Sequence, residues 1–180
     1  LHQVVCGFVK HDQGDEVEIK SNRLDSLLDV LAETQGKVII WANYQYDIKR
    51  ILKTLQDTVG TEAVATYYGE TLDEDRQQII KSFQDPDSPL TYLISNVQTG
   101  GYGITLTEAS TVIYYSNNYD LEKRLQSEDR AHRIGQTNKV TYIDLVAKGT
   151  VDEKIVKALR NKLDLAQEVL GDEKWKDWID

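Results

Sequence analysis

Methionine is absent from this chain of 180 residues, cysteine occurs once, proline and phenylalanine twice each, and histidine three times. The lone thiol, Cys6, has no internal partner, which excludes a disulfide-stapled scaffold and suits a reducing compartment, cytosol or nucleus. The histidines and the cysteine are too scattered for a zinc site, so no metal ligand is assigned. No apolar run approaches the roughly 20 residues of a membrane span, and the opening LHQVVCGFVK lacks the regions of a signal peptide. No membrane partner is therefore expected. The missing methionine, with a chain that opens on Leu1, leads us to expect a piece of a longer polypeptide. Positive charge is also short, with 21 Lys and Arg against 30 Asp and Glu and a net charge of −9. That balance argues against a protein that coats nucleic acid by bulk electrostatics, while leaving room for a local basic patch. Neither a P-loop nor a G-x-S-x-G elbow is present, and no catalytic Cys–His spacing stands out.

What is present is an alternation. Five short apolar runs, KVIIWA (Lys37–Ala42), AVATYY (Ala63–Tyr68), LTYLIS (Leu90–Ser95), TVIYYS (Thr111–Ser116) and KVTYIDLVA (Lys139–Ala147), are rich in β-branched and aromatic residues. The first four are nearly continuously apolar, the pattern of strands covered on both faces of a parallel sheet. Between them lie helical stripes. Leu24, Leu27, Leu28 and Leu31 follow a cap at Ser21 or Asn22 and stop at Gly36, and Ile48, Ile51, Leu52 and Leu55 repeat the spacing. TLDE (Thr71–Glu74) and TVDE (Thr150–Glu153) read as capping boxes that open two more helices. Strands alternating with helices predict a doubly wound α/β domain, with ligands at the carboxyl ends of the strands. Residues 1–20 and 171–180 read as extensions to a domain over 21–170.

Three stretches carry chemistry. In QSEDRAHRIGQ, a helical path places Gln126, Arg130 and Arg133 within about 60° of one another, while Leu121, Leu125 and His132 share another face. Guanidinium groups fork onto phosphate oxygens; the alternative is a solvated helix in which Glu128 and Asp129 neutralise the arginines. SNVQTGGYGITL follows a buried strand, and Gly100, Gly101 and Gly103 free the backbone to approach a phosphate, or simply to turn. YYGETLDEDR sets Gly69 before a helix whose free N–H groups suit one phosphate, or is only a strand-to-helix turn.

Taken in order, these stretches resemble the C-terminal RecA-like lobe of superfamily-two helicases, specifically the Swi/Snf-like DNA translocases. KVIIWANYQYDIKRI resembles motif IV, SNVQTGGYGITLTEASTVIYYS motif V, and QSEDRAHRIGQ is nearly letter-for-letter motif VI; the likeness runs over residues 21–163. It implies a three-layer α/β RecA-like domain with a central, mostly parallel sheet flanked by helices. It further implies that Arg130 and Arg133 are catalytic arginine fingers, and that Gln126, Gly101 and Gly103 contact ATP. Asn43, Gly69 and Thr99 would grip the backbone of double-stranded DNA. ATP with Mg2+ would be held mainly by an N-terminal RecA-like lobe of the same polypeptide, to which residues 1–20 lead. On that expectation the piece alone is monomeric and inactive. Gln98, Thr105, Ser116 and the YDL at Tyr119–Leu121 depart from the usual family pattern. They lean towards phage or bacterial relatives and a cytoplasmic location, with the nucleus as the eukaryotic alternative. An RNA helicase, a restriction or phage-defence motor subunit, and a non-enzymatic RecA-like interaction module remain rival readings.

Overall fold

The computed structural model of the protein describes residues 1–10, 15–98, 104–132 and 139–170. Helix α1 (His2–Cys6) leads into a two-stranded antiparallel hairpin, β1 (Phe8–Lys10) and β2 (Glu16–Glu18). Then come α2 (Arg23–Glu33), β3 (Lys37–Trp41), α3 (Gln45–Val59), β4 (Val64–Tyr67), α4 (Asp73–Gln84), β5 (Tyr92–Ser95), β6 (Ala109–Tyr114), α5 (Leu121–Ala131), β7 (Thr141–Asp144) and α6 (Val151–Leu170). A 3-10 turn at Thr61–Ala63 leads into β4. All five expected strands are present; four are shorter than the apolar run that predicted them, while β6 keeps the length of its run but begins two residues earlier, at Ala109.

The main sheet has the order β4-β5-β3-β6-β7, and every pairing is parallel. Central β3 is buried along its whole length. Its alternate side chains feed two cores: Val38, Ile40 and Ala42 pack with Leu27, Leu31, Ile48, Ile51 and Leu55 of α2 and α3. On the other face Ile39 and Trp41 pack with Phe83 of α4, Leu106, Tyr114 and Ala131. This is why the strands read as continuous apolar runs: pleating sends neighbours to opposite faces, and both faces are covered. The three-layer α/β architecture is thus as expected.

Local chemistry sets the helix ends. Asp120 caps α5 by accepting the Lys123 N–H at 3.2 Å, and Thr150 caps α6 by accepting the Asp152 N–H at 3.2 Å. The TLDE box does not form as expected. Helix α4 begins at Asp73 with Leu72 as its N-cap, and no side chain caps it. The Thr71 hydroxyl is drawn back into the turn, accepting the Tyr68 N–H at 3.0 Å and donating to the Thr66 carbonyl at 3.2 Å.

One buried ion pair closes the fold. Arg23, at the start of α2, pairs with Asp152 at the start of α6 and donates to the carbonyls of Tyr115 at 2.5 Å and Leu145 at 3.0 Å. It ties both helix starts to the ends of β6 and β7. The first residues lie against α3, where Phe8 stacks on Tyr46 with ring centroids 4.5 Å apart and Arg50 pairs with Glu18 at 2.7 Å. Gly7, at φ 96°, makes the turn from α1 into the hairpin; an added Cβ would come within 2.8 Å of Ser21 Cβ. No described helix is long and apolar enough to cross a membrane.

Candidate functional site

The chain leaves β3 towards β4 and leaves β6 towards β7, in opposite directions across the sheet. Such divergence opens a crevice between the carboxyl ends of the two strands, where ligands of open α/β sheets bind. Asn43, Ser116, Asn117 and Asn118 line it, with Arg124 on its wall. The amides are cross-tied: Asn43 N–H donates to Ser116 Oγ at 2.9 Å, and Asn96 Nδ2 donates to the Asn43 carbonyl at 2.9 Å. The strand order therefore sets Gly69, Asn96, Asn43 and Asn117 in one row along the carboxyl edge, with strands about 4.8 Å apart.

Within that row, Asn43 is half-buried and Gly69 is exposed. An added Cβ at Gly69 would meet nothing within 4 Å, so the fold itself does not require glycine there. A bare backbone at an exposed strand end leaves room for an outside group to come close. Beside it, Lys49 is held by Glu70 at 2.9 Å, and Tyr68 donates to the same carboxylate at 2.9 Å. Thr99, Gly101 and Gly103 lie outside the described residues, as does Arg133.

Motif VI occupies α5 only in part. The helix stops at Ala131, and His132 is extended, with φ −118° and ψ 112°. The expectation of one continuous helix carrying Gln126, Arg130 and Arg133 is therefore corrected: Gln126 and Arg130 share α5, and the helix ends before Arg133. The cause is visible at the last turn, where the Arg130 carbonyl accepts the Leu106 N–H at 2.8 Å and the His132 N–H returns to Glu128 at 3.0 Å. That bond from Leu106 also fastens the middle of motif V to motif VI. Gln126 Nε2 donates to Glu122 one turn back, at 3.1 Å. The buried face of α5 is Leu125, Ser127 and Ala131; His132 is exposed and does not belong to it.

Sequence reasoning did not single out Arg124, yet among the described residues it is the best-connected side chain of the site. Its guanidinium lies 3.5 Å from the centroid of the Tyr114 ring. Nε donates to Glu128 at 2.6 Å, and Nη1 donates to Asn117 at 2.8 Å and to Asp144 at 2.5 Å. Glu128, expected to attend Arg130 and Arg133, is thus bound to Arg124. Burial opposes the charge on Arg124, but Tyr114, Asp144 and Glu128 outweigh it and raise its pKa above the ordinary arginine value. Glu128 is pushed up by burial, which Arg124 offsets in part. The only sequence signal was the i, i+4 spacing of Arg124 and Glu128, common on any solvated helix.

A second buried group was also missed. Asp47, in the first turn of α3, is fully buried, and neither of its oxygens has a hydrogen-bond partner among the described residues. Burial raises its pKa from the ordinary 3.8 to about 7, against the pull of Arg23 and Arg50. Cys6 lies beside it, and burial next to that carboxyl pushes the thiol to about 12, well outside the reactive range. Among the described residues no group of three or more His, Cys, Asp or Glu is placed to hold a metal ion.

Residues 19–135 match the model of the helicase conserved C-terminal domain. Over 189 positions the chain is 30% identical to "ATP-dependent helicase FUN30" of Saccharomyces cerevisiae, an alignment covering 100% of this chain and 16% of that protein. It is 36% identical to "ISWI chromatin-remodeling complex ATPase ISW1" of the same organism, covering 82% of this chain and 13% of the relative. With "Chromatin-remodeling ATPase INO80" of Mycosarcoma maydis it shares 38% identity, over 84% of this chain and 8% of the relative. The chain thus spans 16% or less of the length of these curated relatives. Among solved structures, the crystal structure of the C-terminal part of the Fun30 ATPase domain superposes with a TM-score of 0.68 at 30% identity, covering 78% of this chain and 46% of that one. These relatives come from eukaryotes. They give no support to the phage or bacterial leaning drawn from Gln98, Thr105 and Ser116, nor to the cytoplasmic location that went with it.

Proposed function

Because the chain belongs to the helicase conserved C-terminal domain family, we propose that it is the second motor lobe of an ATP-dependent, Swi/Snf-like DNA translocase. One observation carries this reading: the Leu106 N–H bond to the Arg130 carbonyl at 2.8 Å joins motifs V and VI, holding the segment before β6 against the last turn of α5. On this reading Arg130 and Arg133 reach across an interlobe cleft to a triphosphate held by a P-loop on the other lobe. Gln126, Gly101 and Gly103 line the near side of that cleft. Arginine fingers are worth about 10³–10⁵ in turnover, because a fixed positive charge meets the negative charge that develops on the transferring phosphoryl group. The 180 residues carry no P-loop, so ATP and its Mg2+ draw most of their contacts from the first lobe, to which residues 1–20 lead.

Duplex DNA then lies along the amide row. Asn43, Gly69 and Thr99 offer small side chains and backbone N–H groups to phosphates, contacts that position a duplex without reading its bases. Such a grip needs few cations and fits the net charge of −9. Opening and closing of the two lobes with each ATP moves the protein along the duplex. The chromatin-remodelling names of the relatives favour a nuclear protein that acts on DNA.

The test is ATP hydrolysis with three nucleic acids. The two-lobed parent should be stimulated by double-stranded DNA more than by single-stranded DNA or RNA, while the 180 residues alone turn over no ATP. Stimulation by RNA alone would favour the RNA-helicase reading, and no turnover by the parent under any condition would favour an interaction module.

A further inference from the structure

One side of helix α5 is pinned by a dense set of side-chain bonds. With about 100° per residue, Arg124, Ser127, Glu128 and Ala131 fall within about 60° of a common direction, while Gln126 and Arg130 lie more than about 100° round the helix from it. The pinned side is tied by hydrogen bonds to two strands and a loop. Tyr114 at the end of β6 shares a 2.7 Å bond with the Ser127 hydroxyl, which in turn donates to the Arg124 carbonyl at 2.6 Å. Tyr142 of β7 donates to the Glu128 carbonyl at 3.2 Å. Arg124 is the centre: Asp144 of β7 accepts from both its terminal nitrogens, at 2.5 and 3.3 Å, and Asn117 in the loop after β6 bonds to both partners.

We propose that Arg124 is a positioning residue for the motor reaction: its clamp between Tyr114, Asn117, Glu128 and Asp144 sets the rotation of α5 about its own axis, and so where Gln126 and Arg130 point. The inference rests on the motor reading above. A planar guanidinium suits the task, because a stack from below and forked bonds in its plane fix both tilt and rotation, which an ammonium group does not. The lever is short but sensitive. On a helix with a side-chain radius of about 5–6 Å, a turn of about 10° moves a tip by about 1 Å, and a misplacement of that size can cost about 10²-fold in rate.

A double-mutant cycle in the two-lobed parent separates aiming from mere stabilisation. Arg124→Met, which keeps the length and loses the fork, should lower kcat for DNA-stimulated ATP hydrolysis about 10- to 100-fold while the KM for ATP stays within about threefold. Single-turnover measurements extend the cycle to Arg130→Ala. There the same Arg124→Met change should cost less than about threefold, because α5 then carries no finger to aim; its effect on melting temperature should be the same in both backgrounds. Tyr114→Phe removes only the hydroxyl that holds Ser127. It gives a gentler version of the test if Arg124→Met does not fold, with an expected loss of about three- to tenfold in the presence of Arg130 and almost none without it. Equal losses with and without Arg130, or a folded Arg124→Met protein with unchanged kcat, would overturn the positioning role. Turnover of Arg130→Ala within about threefold of wild type would instead bring down the finger assignment, and this inference with it.

Discussion

Two clusters of buried charge lie near the carboxyl edge of the sheet, and they are satisfied to very different degrees. Around Arg124 the donors of one guanidinium meet three partners and a ring, and Asn117 adds a bond of its own to Asp144 at 2.6 Å. Around Asp47 both carboxylate oxygens, the Tyr115 hydroxyl and Arg50 Nη1 are buried with no hydrogen-bond partner among the described residues. Burial costs the same kind of energy in both places. At Arg124 the low dielectric strengthens attractions that are already made; at Asp47 it penalises a charge that is not compensated. The saturated cluster therefore makes a rigid mount for a helix, whereas the unsaturated one makes a seat whose strength depends on protonation.

The largest effect should come from breaking the saturated cluster. Arg124→Met leaves the half-buried Asp144 and Glu128, 23% and 31% exposed, without their cation, and denaturant unfolding of the 180-residue chain should show a loss of about 2–4 kcal/mol. A loss below about 1 kcal/mol would mean that the cluster is far wetter than its geometry indicates.

The unsaturated cluster should answer to pH rather than to deletion. The folded-state pKa of Asp47 is raised above the ordinary value of 3.8 to about 7. Its favourable contribution is therefore complete below the unfolded value and is lost as pH rises through the folded one. Across that window the loss amounts to at most about 4 kcal/mol. Asp47→Asn removes the titration, so the stability difference between the two proteins should move in favour of the variant by up to about 4 kcal/mol between pH 4 and pH 8. Parallel pH profiles for the two proteins would contradict the account of that cluster. Cys6, the only thiol, reports on the same seat, since a thiol buried beside a carboxyl is slow to react. At pH 8 its labelling should be about 10²-fold slower than in the unfolded chain, because both access and thiolate are scarce. Labelling at the unfolded rate would place α1 away from α3.

The exposed pair of Lys49 and Glu70, with side chains 56% and 50% accessible, sets the low end of the comparison. Solvent screening leaves such pairs almost nothing, so Lys49→Ala should leave the melting temperature essentially unchanged. A clear drop in melting temperature would make that turn a structural element in its own right.

The contrast also marks what the sequence made legible. The strands were visible because Val38 to Ala42 and Leu93 to Ser95 are buried on both faces, and continuous apolar runs have few other causes. Motif VI was visible because Gln126, Arg130 and Arg133 recur in order with motifs IV and V. The end of α5 was not, since it depends on a carbonyl bonding to Leu106, a residue more than twenty positions away. Thr71 misled for a related reason: a hydroxyl near a helix start has N–H donors in reach on both sides, and the one at Tyr68 won. Arg124 and Asp47 were illegible because burial decides their chemistry. On a helical wheel each looks like one more solvated charge, and only the packing of β6, β7 and α1 around them says otherwise.

The central claim is that cationic forks of motif VI complete a triphosphate site on another lobe. Steady-state ATP turnover of the two-lobed parent on duplex DNA, compared between wild type, Arg130→Ala and Arg133→Ala, tests it most directly. The account predicts that each variant loses about 10³-fold or more in kcat while its affinity for DNA stays within a few-fold. Turnover within about threefold of wild type in both variants would contradict it.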